Sequence, residues 1–120
     1  MDKIIIHEAY FLCKIGITEE ERRAEQELLI DVELFSDIKK ASKTDDIKDT
    51  INYSDVYDSL KEIAGKKEFN LIEAIAEEIA DKILNEFPVG KVFVRIKKPS
   101  ALHKKNVKYA AVEITRDKSG

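Results

Sequence analysis

Hydrophobic periodicity changes twice along this chain, and the order of those changes constrains the fold more than any single motif. Lys3 to Ile15 is rich in β-branched and aromatic residues, the composition of a strand. Leu28, Ile30, Val32 and Leu34 then alternate with Leu29, Asp31, Glu33 and Phe35, a period of two with one clearly apolar face. From Ser54 the period lengthens. Val56, Leu60, Ile63 and Ala64 fall on one helical face, and Gly65 is a stop signal. Asn70 predicts the start of a second helix, with Glu73 three residues later as in a capping box. Its stripe is Ile72, Ile75, Ala76, Ile79, Ile83 and Phe87, and Pro88 and Gly90 end it. Period two returns at Val92, Val94 and Ile96 and again at Ala110, Val112 and Ile114.

Strand, strand, helix, helix, strand, strand is the order of an α+β domain over residues 1–120. The expected architecture is a four-stranded antiparallel sheet with two helices packed on one face. The charged run Glu19 to Glu25 has no apolar period and reads as a loop. The polar stretch Lys39 to Asn52 reads as irregular. A sheet of this kind has two exposed edges, which invite closure by neighbouring subunits, so a homo-oligomer is expected.

Composition narrows the function classes. Hydrophobic residues make up 43% of the 120, enough for a core. Charged residues reach 38%, but 21 basic and 24 acidic residues nearly cancel, leaving −3. No single-sign block suggests a nucleic acid or a membrane as partner. The lone Cys13 cannot form an internal disulfide, and the apolar run after Met1 is too short for a signal peptide or a membrane span. A cytoplasmic location is the expectation. His7 and His103 lie far apart and, with one cysteine, make no zinc-ligand cluster, so no metal or other cofactor is expected. Cys13 reads as packing and His103 as a solvated loop residue.

Lys98 is the most informative candidate on physical grounds. It shares the parity of Val92, Val94 and Ile96, so it should end an inward-facing row, and Pro99 should end the strand. Partial desolvation there would make it a usable acid or base. The competing reading is a lysine that snorkels to solvent at a strand end. Glu73 lies in a first helical turn, where the macrodipole favours a carboxylate. It reads either as a cap or as a carboxylate accepting two parallel hydrogen bonds from paired N–H donors. Tyr53 precedes the first helix and reads as packing or as a hydroxyl aimed at a substrate oxygen. Glu21, by composition alone, is a solvated loop charge.

Order and spacing add what no single residue carries. The Ile15-Gly16 turn is followed by Gln26 and the strand Leu28 to Leu34. Next come Lys43-Thr44-Asp45-Asp46, Asp49-Thr50-Ile51-Asn52-Tyr53 and Asn70-Leu71-Ile72-Glu73 with Ala76-Glu77. The chain closes with Val94-Arg95-Ile96-Lys97-Lys98-Pro99, Asn106-Val107 and Val112-Glu113-Ile114. Over nearly its whole length the chain resembles the dihydroneopterin aldolase family. That resemblance implies catalytic roles for Lys98 and Tyr53, and substrate binding by Glu21, Tyr53, the Ile72 backbone and the pterin-anchoring Glu73. It implies pockets shared between subunits, with Tyr53 and Glu21 from one and Glu73 and Lys98 from the other. It also implies a tetramer ring or an octamer of two stacked rings, and a metal-free retro-aldol reaction on 7,8-dihydroneopterin. The stretches Cys13-Lys14-Ile15 and Ser100-Ala101-Leu102-His103 depart from common family patterns and leave substrate preference open. The alternatives are an epimerase acting at C2′ of the same pterin or its triphosphate, and a non-catalytic pterin-binding protein. A zinc-dependent pyruvoyl-tetrahydropterin synthase relative would need more histidines than the chain has.

Overall fold

The computed structural model describes residues 1–66, 68–99 and 105–118. β1 (Lys3–Ile15) pairs antiparallel with β2 (Glu25–Phe35), from Lys3 opposite Phe35 to Lys14 opposite Glu25. A bulge interrupts the register between Ile6 and Ala9, where Glu8 adopts φ 53°. A non-glycine residue in that region is strained. It is held there by its own backbone N–H, which donates to Asp31 Oδ1 at 2.6 Å.

β4 (Lys91–Lys98) pairs antiparallel with β2, and β5 (Ala110–Asp117) with β4. The expected four strands thus form as read, in an α+β fold, but the sheet has a fifth member. β3 (Glu68–Phe69) lies parallel to the end of β1, giving the order β3-β1-β2-β4-β5 and a mixed sheet. Two residues are too short to show a period, so pattern reading cannot find such a strand.

Alternation decides the core. Leu28, Ile30, Val32 and Leu34 on β2, and Val92, Val94 and Ile96 on β4, are fully buried against the helices. Those helices are α3 (Tyr53–Lys66), which covers β1, and α4 (Ile72–Glu86), which covers β4 and β5. Val56, Leu60, Ile63 and Ala64 of α3, and Ile75, Ala76, Ile79 and Ile83 of α4, supply the facing layer. Cys13 belongs to this core, and burial pushes its thiol pKa up, which makes it a packing residue rather than a nucleophile. Among the described residues no helix is long and apolar enough to cross a membrane.

Two stretches read as irregular contain short helices: α1 (Glu19–Arg22), and α2 (Lys39–Thr44) with a 3-10 turn at Ile47–Asp49. One or two turns cannot display an amphipathic period. For α1 the missed signal was Thr18 followed three residues later by Glu21, a reciprocal capping box.

Candidate active site

Chain direction gathers three of the sequence candidates. α4 and β4 run antiparallel through the turn at Phe87–Gly90, so the first turn of α4 and the last residues of β4 share one end of the domain. Glu73 stands in that first turn and Lys98 at that strand end. Lys98 closes the inward row as parity predicts, half-buried and followed by a turn at Pro99. Ile72 is partly buried against the core, and α-helix geometry leaves its amide and that of Glu73 without intrahelical acceptors. The chain around Ser100 to His103 lies outside the described residues.

The capping box read at Asn70 and Glu73 does not form. Helix α4 starts at Ile72 with Leu71 as its N-cap and no side-chain cap bond. Asn70 is occupied elsewhere, accepting from Arg22 Nη1 at 2.9 Å. Among the described residues no hydrogen bond or ion pair engages the Glu73 carboxylate or the Lys98 amine, which leaves both open to a ligand.

Glu21 reaches the same end by a different route. Gly16 follows β1, and its N–H donates to the Phe69 carbonyl at 3.0 Å, tying the turn to the chain that enters α4. A Cβ at Gly16 would overlap the Cβ of Glu21, so this close approach requires glycine. Glu21 Oε1 accepts from the Thr18 N–H at 3.3 Å and the Thr18 hydroxyl at 3.2 Å. Gln26 Nε2 donates to the Ile15 carbonyl at 2.6 Å and the Glu21 carbonyl at 3.3 Å. What reads as a solvated charge in a run of glutamates is therefore held in a fixed place.

Tyr53 is not brought to that end. Ser59 Oγ lies 3.5 Å from Glu86 Oε2 and Lys82 Nζ lies 3.6 Å from Glu62 Oε2, which aligns α3 and α4 antiparallel with Ser59 level with Glu86. At 1.5 Å per residue, Glu73 lies about 20 Å above that level and Tyr53 about 9 Å below it. Tyr53 is 66% exposed. Within one chain Glu21 therefore groups with Glu73 and Lys98, and Tyr53 stands apart. The resemblance had assigned Glu21 to Tyr53's side of a shared pocket.

Sequence reading missed a second polar cluster, on the sheet face without helices. Asp31 points there yet is only 2% exposed. Besides the Glu8 N–H it meets His7 Nδ1 at 3.0 Å, and both Arg95 Nη1 and Lys97 Nζ at 3.4 Å. Burial alone would raise its pKa, but the Glu8 N–H, Lys97 and His7 outweigh that and hold the carboxyl below its ordinary value. Lys97, adjacent to Lys98 but facing the other way, is the more buried of the two lysines and lies 5.3 Å from the Tyr109 ring centroid. Opposite charges in one cross-strand row, Asp31 facing Arg95, were the available signal. A separate concavity of about 670 Å³, lined in part by Met1, Asp2, Phe35 and Pro88, contains none of the five sequence candidates.

Comparison with known proteins identifies the family. The family model described as FolB, dihydroneopterin aldolase, matches residues 4–115. A dihydroneopterin aldolase of Methylorubrum extorquens is 38% identical over 98% of this chain and 92% of its own length. One from Bacillus subtilis is 36% identical over 99% and 100%. The E. coli dihydroneopterin aldolase, solved in complex with neopterin, superposes with a TM-score of 0.91 at 31% identity, covering 97% of this chain and 99% of that one. With the family model matched over residues 4–115 and the B. subtilis relative aligned over its full length, this chain belongs to the dihydroneopterin aldolase family.

Proposed function

We propose that this protein is a dihydroneopterin aldolase of folate biosynthesis. It splits 7,8-dihydroneopterin into 6-hydroxymethyl-7,8-dihydropterin and glycolaldehyde. The observation that carries the reading is the gathering of Glu21, Glu73 and Lys98 at one end of a chain of this family. Glu73 anchors the pterin through two parallel hydrogen bonds from ring and amino N–H groups, and the Ile72 backbone shares the ring. Lys98, through water, takes the proton of the 2′-hydroxyl. The C1′–C2′ bond breaks, C2′ becomes the glycolaldehyde carbonyl, and the electron pair moves through C1′ and C6 to N5, which is protonated. Protonation of C1′ with loss of the N5 proton restores the C6=N5 bond and completes the hydroxymethyl product. The ring is its own electron sink, so the lysine works as acid and base and forms no bond to carbon. Tyr53 assists proton transfer, and Glu21 binds the substrate side chain.

The separation of Tyr53 from Glu73 along the helix pair supports a pocket completed by a second copy of the chain. A tetramer ring, or an octamer of two stacked rings, and a cytoplasmic location go with this reading. Subunit mixing tests the shared pocket. Tyr53→Ala and Lys98→Ala proteins, each nearly inactive, are unfolded together and refolded as mixed oligomers. Activity should return to about one quarter of wild type, since random association pairs an intact Lys98 with an intact neighbouring Tyr53 at that frequency. No recovery would place both residues' work in one chain. The reaction itself is tested by incubating the protein with 7,8-dihydroneopterin and separating products by chromatography. Hydroxymethyldihydropterin and glycolaldehyde in equal amounts are expected. Monapterin as the main product would make it an epimerase, and unchanged substrate would leave only a binding protein.

A further inference from the structure

We propose that Arg22 is a positioning residue for the aldolase reaction. It pins the short helix bearing Glu21 to the loop that leads into the Glu73 helix, and so sets where Glu21 meets the substrate side chain. The proposal rests on the aldolase reading above. Helix α1 has only four residues, far too few to persist on its own. Thr18 caps it, Gln26 of β2 holds the Glu21 carbonyl, and the Gly16–Phe69 bond ties the preceding turn to β3. Arg22 links α1 itself to Asn70, in the loop before α4. Its Nη1 donates to the Gly16 carbonyl at 2.8 Å, the Ile17 carbonyl at 3.0 Å and Asn70 Oδ1 at 2.9 Å, the last across 48 residues of sequence. Its Nε lies 3.8 Å from Glu68 Oε2, with the side chain 21% exposed.

The guanidinium thus joins both ends of the turn holding Glu21 to the residue three before Glu73. All three bonds leave Nη1, whose two N–H groups are shared among three acceptors, while Nε faces Glu68. Without the guanidinium α1 keeps its own cap and the turn before it keeps the Gly16–Phe69 bond, but the end of α1 that follows Glu21 loses its link to the loop before α4. A displacement of about 1 Å in a group that orients substrate can cost on the order of a hundredfold in rate.

The test uses the full-length oligomer with Arg22→Met, Glu21→Gln and the double variant. The readouts are turnover of 7,8-dihydroneopterin, affinity for 6-hydroxymethyl-7,8-dihydropterin, and amide hydrogen exchange over residues 17–23. Arg22→Met should lower kcat/KM by about tenfold or more. Product affinity should change by less than about threefold, because the ring anchor is Glu73. Exchange at Glu20 to Arg23 should accelerate by about tenfold or more. The double variant should be no slower than Glu21→Gln alone, within about twofold, because both changes remove one contribution. Asn70→Ala, which leaves the helix end of the clamp intact, should lower turnover in the same direction but by less.

Unchanged kinetics in Arg22→Met, fully additive losses in the double variant, or an equal loss of product affinity would each overturn the positioning role. Failure of the aldolase reading looks different, because the wild-type protein itself would then leave 7,8-dihydroneopterin uncleaved. Unaltered exchange in Arg22→Met overturns the clamp whatever the substrate proves to be.

Discussion

Lys98→Ala is expected to lower turnover of 7,8-dihydroneopterin by about 10²–10⁴-fold, the usual worth of a positioned acid or base. Binding of the pterin product should stay within about an order of magnitude, because the ring is held elsewhere. The fold should tolerate the change. Lys98 closes the inward row of β4 only half-buried, and no described ion pair depends on it. Lys98→Arg separates charge from chemistry. Arginine keeps the positive charge but does not release a proton near neutral pH, so that variant should stay impaired. Steady-state kinetics and equilibrium binding on the same preparations decide the matter. Full activity in Lys98→Ala would sink the mechanism, and recovery in Lys98→Arg would make the lysine an electrostatic group.

Glu73→Ala is expected to abolish binding rather than slow a bound complex. Two hydrogen bonds to a carboxylate are worth about 1.5–3 kcal/mol each. Losing both weakens pterin affinity by about 10²–10⁴-fold. Stability should fall by less than about 1 kcal/mol, the scale of one carboxylate against an exposed helix N-terminus. The absence of the expected capping box sharpens this prediction. Had Glu73 closed a box with Asn70, its removal would also have unravelled the helix start. Instead α4 begins without a side-chain cap and Glu73 is exposed. Titration of the product by fluorescence, beside thermal unfolding, separates the two effects. Tight pterin binding by Glu73→Ala would count against the anchor role. Glu73→Gln keeps one acceptor oxygen and should fall between the two.

Much of the fold was legible because burial imposes a period. Four apolar residues in alternation on β2 and three on β4 became the buried rows, and the stripes on both helices became the layer facing them. The same rule placed Lys98 on the inward row without structural information. The parts that escaped were short. β3 spans two residues and α1 four, less than the length over which either period declares itself. Among the candidate site residues, Glu21 illustrates the limit. Sequence alone made it a solvated charge, and only resemblance to the family raised it. Its capping partner Thr18 and its dependence on Gly16 were local and could have been read.

The sequence by itself determined the types of the long elements, the inward faces of β2, β4 and β5, and the chemical character of the candidate residues. These follow from periodicity and side-chain chemistry, which act between near neighbours. Tertiary structure decided which candidates meet. It put Glu21 with Glu73 and Lys98, set Tyr53 at the far end of the helix pair, buried Asp31 beneath the bulge at Glu8, and joined Arg22 to Asn70. Each of these depends on a contact between segments far apart in the chain. Such contacts leave no local period, and arise only when helix and strand lengths fix which ends come together.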